Sequence, residues 1–250
     1  MRNIWTIAKK EFSQYFLSPI AYSVMFLLLV IVGIIFTIIF LQLSEGSFTG
    51  QEPTPPDSRP IASSLGFLLM LLLPALTMRL VADEVRMGTM ELLLTAPLRD
   101  YELIVGKWLG AFLFVLVPVG ITLIFPLMFH MMTEGGIDQL LLISNYLGLV
   151  LAVSAFLGMG VGISALFSNQ IAALLSTLAL FIIMWWLIGI PANFMQGAGN
   201  EIFKYLSLSE QFSGNFVRGT ISLSSIIYFL SLTALGLVIG STAVEIRRWR

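Results

Sequence analysis

The chain has no cysteine and only one histidine in 250 residues. Without thiols there is no disulfide framework, no thiolate metal site and no thiol nucleophile. One imidazole does not make a histidine-rich metal site either. Charge is scarce: Asp, Glu, Lys and Arg make up 11% of the chain, against roughly 25% in an ordinary soluble domain. The charges nearly cancel, 13 bases against 14 acids for a net −1, which excludes a strongly basic nucleic-acid binder. No nucleophile–base pair and no acid pair inside an apolar run is found, so no catalytic constellation is expected.

What is abundant is apolar surface. Hydrophobic residues are 58% of the chain, more than a soluble fold of this size can hide and far from a disordered composition. Crossing a hydrocarbon core of ~30 Å takes about 20 mostly apolar residues as a helix. Six runs qualify: 22–43, 61–81, 103–130, 147–167, 171–190 and 223–244. They have helical length, not the ~10-residue alternation of a barrel. The expected fold is an all-α integral membrane protein, a six-transmembrane-helix bundle. No folded soluble domain fits between the spans, so residues 1–250 read as one transmembrane domain.

Lysine and arginine set the orientation. With the N-terminus in the cytoplasm, ten of the 13 bases lie inside, leaving Arg59, Lys204 and Arg218 outside; the reverse would break the positive-inside rule. Six spans then bring both termini to the cytoplasm. The first apolar run is too long for a signal core and no small-residue cleavage site follows, so span one is expected to be its own anchor.

Residues 1–19 form the expected amphipathic interfacial helix. At 100° per residue Ile4, Trp5, Ala8, Phe12, Tyr15 and Phe16 share one arc, while Lys9, Lys10 and Glu11 fall elsewhere and Ile7 is the exception. Lysines beside anionic headgroups suit such a helix, and Ser18-Pro19 ends it. It serves as a membrane anchor or as a lever between a cytoplasmic partner and span one. Residues 44–60, with four prolines, read as an irregular outer loop. Residues 191–222 carry too many aromatics for a floppy linker and are expected to form short helices that dip into the outer leaflet or cap the bundle.

Residues 82–102 are the most informative segment. Asp83 to Lys107 reads DEVRMGTMELLLTAPLRDYELIVGK, far more charge than two spans need between them. Gly88 interrupts the extension of span two, residues 90–95 read as a short amphiphilic helix stopped by Pro97, and Asp100 is the expected N-cap of span three. Leu92, Leu93 and Leu94 in succession cannot all face the inner leaflet, so the segment reads as a docking helix for a soluble partner, the alternative being a loop that merely lies on the membrane. Gly106-Lys107 is not a P-loop: Tyr101 stands where a glycine is needed and Trp108 follows instead of Ser or Thr.

Here the sequence resembles the ABC-2 family of transporter permeases. Glu84, Gly88, Thr89, Glu91, Leu93, Leu94 and Pro97 follow an E-x-x-x-G-T-x-E-x-L-L-x-x-P pattern, with Arg86 inside it and Gly106-Lys107 after it. The opening, with Lys10-Glu11 and Leu17-Ser18-Pro19, together with ELLLTAPLRD, is most similar to the gliding-motility-associated branch. The resemblance implies a permease subunit of an ATP-binding-cassette exporter in a bacterial inner membrane. It implies a cytoplasmic ABC ATPase subunit as partner, holding ATP and Mg, so that this chain needs no cofactor of its own. It also implies a dimer with a second copy or a related permease. Glu84, Arg86, Gly88, Thr89, Glu91, Leu94 and Pro97 would be the ATPase-coupling element, beside the interfacial helix with Trp5, Lys9, Lys10, Phe12 and Phe16. Residues 191–222 would be re-entrant.

Every Asp, Glu, Lys and Arg falls at a span end or in a loop, and mid-span polar residues such as Thr37, Thr122, Ser154 and Thr177 are neutral. Proton-coupled carriers generally bury ionisable groups inside the bundle. An apolar or amphiphilic substrate moved by an external ATPase fits better than an ion-coupled secondary transporter. A non-transporting scaffold for motility or envelope machinery remains an alternative. Ser154, Gly158 and Gly162, with Gly236 and Gly240, are spaced for close helix packing, within the bundle or at a dimer seam. Pro74 and Pro118 are expected to kink spans two and three. Trp185 and Trp186 read as an interfacial belt or the lining of an exit path. His130 reads as a surface histidine, and the Glu134–Asp138 pair is a poor metal site.

Overall fold

The computed structural model describes residues 2–48, 57–91, 98–132 and 136–248. Those residues are overwhelmingly helical, with no strand among them. Six stretches among them are long and apolar enough to cross a membrane: Pro19–Gln42, Arg59–Arg86, Asp100–Met131, Gln139–Leu166, Gln170–Asn193 and Leu223–Arg248.

The elements differ from simple uninterrupted spans. Helix α1 (Arg2–Tyr15) precedes span one, α2 (Pro19–Phe48), which starts three residues earlier than expected and continues past Leu43 into the supposed loop. Pro19 explains the early start, because its missing N–H costs nothing in a first turn. Span two is broken into α3 (Arg59–Thr77) and α4 (Ala82–Arg86). Span three is α5 (Asp100–Ile121) followed by α6 (Ile124–Met132), not one helix over 103–130. Span four is α7 (Gln139–Leu166), span five α8 (Gln170–Trp185), and span six α11 (Leu223–Arg248). Between spans five and six lie a 3-10 turn (Leu187–Asn193), α9 (Ala198–Leu206), α10 (Leu208–Ser213) and a second 3-10 turn (Phe216–Arg218).

Apolar medium offers backbone groups no water, so each break must be satisfied by protein. At the break in span two, Ser164 of α7 does this. Its Oγ accepts from the Val81 and Ala82 amides at 3.2 and 3.1 Å and donates to the Met78 carbonyl at 3.3 Å. Helix α3 runs through Pro74, whose carbonyl accepts from the Met78 amide at 3.0 Å, and unwinds only after it. At the break in span three the Thr122 hydroxyl donates to the Val119 carbonyl at 2.6 Å and meets the Tyr146 hydroxyl at 3.1 Å. Pro118 lies one turn before.

The most extensive contact in the bundle is α7 on α11. Small residues make it. A Cβ on Gly158 would lie 2.9 Å from the Thr233 carbonyl oxygen, one on Gly162 2.4 Å from the Gly236 carbonyl oxygen, and one on Gly236 2.3 Å from the Gly158 carbonyl carbon. Gly240 continues the seam against Gly162 and Ile104, and the Ser154 and Thr233 hydroxyls hydrogen-bond across it at 3.0 Å. The structure thus spends this stripe inside one chain. Span one lies at the other extreme and is the least buried of the six.

The segment after span five is inserted, not draped. Phe212 and Phe216 are fully buried; Phe212 fills the space over Gly66 of α3 and Phe216 that over Gly148 of α7. Trp185 is buried against Phe156 and Phe212, whereas Trp186 is exposed. His130 is exposed; its Nδ1 accepts from the Ile137 amide at 3.2 Å. Asp138 caps α7 by accepting from the Leu140 and Leu141 amides. Glu134 lies outside the described residues.

Because Gly236 meets backbone rather than a flexible side chain, Gly236→Ala is expected to destabilise the chain by about 1–3 kcal/mol through overpacking. Gly120→Ala, where nothing lies within 4 Å of the added Cβ, is expected to be near neutral. Thermal unfolding of the two variants in the same detergent checks the contrast.

Candidate functional site

The chemistry gathers at one end of the bundle, where α1, the end of span two and the start of span three meet. Helix α1 packs along α5. Two glycines on α5 permit it: a Cβ on Gly106 would lie 2.8 Å from the Ile7 side chain, and one on Gly110 2.8 Å from the Ala8 carbonyl oxygen. This small-xxx-small pair went unnoticed in the sequence, although its spacing is the signal.

Between those glycines stands Lys107. Its side chain is 2% exposed, and its Nζ lies 2.7 Å from Glu11 Oε1 of α1 and 2.7 Å from Glu84 Oε1 of α4. One ammonium thus ties three elements together. The sequence placed Lys107 in a family motif at the start of a span, and the structure turns it inward. Glu11 is a correction: it was assigned off the buried face of α1, yet it and Ala8 are the buried residues of that helix. Trp5, on the apolar arc, is 60% exposed and turned away from the bundle. Phe12 and Phe16 are half-buried and pack on the core, Phe16 edge-on to Phe114 at 5.2 Å, while Lys9 and Lys10 are exposed. Tyr15 stacks on Phe114 at 4.8 Å and donates to the Leu76 carbonyl at 3.4 Å. Burial, with the Glu11 carboxylate nearby, pushes its hydroxyl above the ordinary value, so it stays a neutral donor.

The loop's first turn is shaped by Gly88. Its φ of +69° is the left-handed conformation that a side chain resists. The Thr89 amide donates back to the Glu84 carbonyl at 3.0 Å and the Gly88 amide to the Val85 carbonyl at 3.3 Å, the pair of bonds that closes a helix C-terminus. The Glu84 backbone therefore anchors the turn while its side chain holds Lys107. Asp83 pairs with Arg86 at 3.0 Å and lies 3.8 Å from Arg79. Met90 is buried, whereas Arg86, Gly88, Thr89 and Glu91 are exposed. Leu94 and Pro97 lie outside the described residues.

The start of span three is also tied down. The helix is capped from Arg99, one residue before the expected Asp100: Glu102 Oε2 accepts from the Arg99 amide at 3.3 Å and from Asn3 Nδ2 of α1 at 3.1 Å. Asp100 instead meets Arg248 at 2.9 Å, and Arg248 also donates to the Leu98 carbonyl. Both chain ends thus grip the start of span three. Beside the triad opens a cavity of about 600 Å³, bounded by α1, the foot of span one, the end of span two and the turn through Thr89. No group of three or more metal-ligating side chains occurs among the described residues.

A family model for ABC-2 family transporter proteins matches residues 5–244. The chain belongs to that family, and is a multi-pass membrane permease subunit of an ABC transporter. The family implies an ATPase carried on a separate subunit. No curated relative matches the chain.

Removing one partner from a buried ion pair leaves an uncompensated charge, at a cost of about 3–5 kcal/mol. Lys107→Met is therefore expected to lower the unfolding temperature in detergent sharply. Combining it with Glu11→Gln and Glu84→Gln is expected to recover most of the loss, since the three charges then leave together. Additive losses in the triple variant would show that the three do not act as a unit.

Proposed function

We propose that the chain is the membrane half of an ATP-binding-cassette exporter that moves an apolar or amphiphilic substrate across a bacterial inner membrane, with its charged end in the cytoplasm. The likeness to the gliding-motility-associated branch rests on residues 4–20 and on ELLLTAPLRD alone. The observation that carries the reading is the Lys107 triad. An ATPase seated on the turn at Gly88 to Glu91 pulls on a segment whose Glu84 is bonded to the same ammonium as α1. Force on the exposed turn then reaches span three through Lys107 and span two through α4, whose first amides are held by Ser164. Exposed polar positions, Arg86, Thr89 and Glu91, are available to a soluble partner, and the buried Met90 fixes their orientation. Leu94 and Pro97 belong to the coupling element by the family resemblance alone.

The exporter functions as a dimer, with a second copy or a related permease. Spans one and five leave most of their apolar surface outward, enough for lipid on one side and a second permease on the other. Closure of the ATPase pair rocks spans one, two and five and opens the central path outward. The segment with α9 and α10 acts as a re-entrant plug on the outer face, held by Phe212 and Phe216, and α1 lies in the inner interface with Lys9 and Lys10 toward headgroups.

The test is isolation of the tagged full-length chain from its native membrane in mild detergent. A P-loop ATPase is expected in stoichiometric amount, greatly reduced with Glu91→Lys, whose chain should still insert and fold. Gly88→Val, which strains the left-handed turn, is expected to reduce it as well. Absence of any ATPase from the intact wild-type chain would overturn the reading in favour of a scaffold.

A further inference from the structure

The cavity beside the triad has the shape and charge of an amphiphile site. It is lined by three cations, Lys10, Arg79 and Lys107, and three anions, Glu11, Asp83 and Glu84. Lys107 is fully engaged by Glu11 and Glu84. The other two cations have capacity to spare. Lys10 is exposed and takes part in no ion pair among the described residues. Arg79 has 39% of its side chain exposed and is held only by a 3.8 Å approach to Asp83 and a 3.3 Å bond to Ser18. Five donors in a planar fork are thus largely free at the cavity wall.

The upper wall is different. Ile20, Ala21, Ala75 and Leu76 line the same cavity. Leu76 also lines a wholly apolar seam between spans one, two and three, past Val24, Leu28, Leu73 and Phe114, which is closed here to about 10 Å³ and takes a chain only when span one moves outward. Polar space below and an apolar slot above meet at one residue. Span one, which forms one wall of the slot, is the least buried span, so the slot can widen at little packing cost.

We propose that this is a binding site for a membrane amphiphile with a zwitterionic headgroup, its phosphate held between Arg79 and Lys10, its primary ammonium by Asp83, and its chain along the crevice. Charge decides the headgroup. The six lining charges cancel among themselves, so a bare anion would lie beside three carboxylates, whereas a phosphate that carries its own ammonium adds no net charge. Arg86, outside the lining, takes Asp83 Oδ1 at 3.0 Å, and Oδ2, no closer than 3.8 Å to Arg79, is the oxygen left for the ammonium. A primary ammonium brings three N–H donors to Asp83, and a quaternary one brings none. The site lies at the end of the bundle assigned above to the cytoplasm, so it samples the inner leaflet. It deepens the exporter reading by naming the headgroup its amphiphile carries, and rests on that reading for orientation only.

The test is lipid binding to the purified, delipidated full-length chain, counted by native mass spectrometry in the absence of nucleotide. Phosphatidylethanolamine is expected to bind at one per chain, about tenfold or more tighter than phosphatidylcholine or phosphatidylglycerol, the scale of one charge-assisted contact of about 1.5 kcal/mol. Arg79→Gln with Lys10→Gln should abolish that preference, and Lys204→Gln, at the opposite end, should not. Ala75→Phe, which fills the cavity without altering charge, should lower binding by a similar factor and guards against misfolding of the charge variants. Equal binding of the three lipids, or an unchanged preference in the cavity variants, would overturn the proposal. Glycerophosphoethanolamine and inorganic phosphate are expected not to displace the lipid; displacement by either at equal concentration would assign the site to a soluble phosphate and overturn the amphiphile. Neither ATP nor transport enters the readout. Lipid selectivity in a chain that captures no ATPase would leave the site standing while the exporter reading falls, and the converse result would do the opposite.

Discussion

A lysine ammonium deep in the bundle has to be paired, and most of the architecture at the charged end follows from that. Taking Lys107 out of water costs several kcal/mol unless carboxylates and hydrogen bonds replace the lost hydration. Two acids supply them, and neither comes from its own helix. The demand therefore fixes the position of α1, through Glu11, and of the turn after span two, through Glu84. Gly106 and Gly110 are the geometric half of the same solution. Without them the backbone of α1 could not come close enough to α5 for Glu11 to reach Nζ at 2.7 Å. The pairing is not symmetrical. Glu11 is buried on a long helix with many other contacts, whereas Glu84 sits on a five-residue helix and keeps its second oxygen, Oε2, buried without a hydrogen-bond partner. An unsatisfied buried acceptor raises the energy of the bound arrangement. The loop side of the triad is thus the side more easily disturbed, which is where a soluble partner would act.

The remaining helices obey a second constraint of the bilayer. Spans two and three are broken inside or near apolar surroundings, and each break is mended by hydroxyls, Ser164 for one and Thr122 with Tyr146 for the other. Elsewhere small residues let backbones touch, as in the seam of α7 and α11. Between apolar helices and apolar lipid there is little hydrophobic preference, so close packing and side-chain hydrogen bonds decide which helices associate. Span one is the least buried of the six, and its Thr37 hydroxyl bonds to the Gly33 carbonyl of its own helix rather than to a neighbour.

The spans were legible because 20 apolar residues admit few other readings, and the aromatics of residues 191–222 announced a structured segment. Pairings were not legible. Helical-wheel arithmetic put Glu11 on the polar side because a charge on an interfacial helix is expected to face water; only a base 96 positions away makes it a buried residue. Lys107 read as a motif letter, since a single sequence does not couple it to residue 11. The small-residue stripe of Ser154, Gly158 and Gly162 announced a close contact but not its partner, and Gly66 and Gly148, outside that stripe, admit the rings of Phe212 and Phe216 without any signal in the spacing. Pro74 and Pro118 marked spans two and three for kinks, yet nothing in the sequence coupled the breaks just after them to Ser164 and Tyr146 of α7, which meet them alongside span three's own Thr122. The loop residues Glu84 to Glu91 stood out by their charge in a poor background of charge.

The connectivity also separates what moves together. Helix α1 packs on α5 and is bound to it through Lys107, Glu102 and the two glycines, so it belongs to the body of span three. Span one packs mainly on α3 and only sparsely on α5. Between α1 and span one lie only Phe16, Leu17 and Ser18, with Leu17 exposed. The joint is therefore a hinge between two bodies, and the cavity lies across it: Lys10, Glu11, Gln14 and Tyr15 line it from one body, Ile20 and Ala21 from the other. Any rotation at the hinge must change the cavity's width and the crevice above it. On the proposed reading, a guest that prefers one width would bias the position of the loop, and an ATPase that shifts the loop would alter the affinity for the guest by the same free energy. Headgroup and nucleotide would then sense each other without meeting, because the hinge and the loop both bear on α1, which Lys107 ties to Glu84.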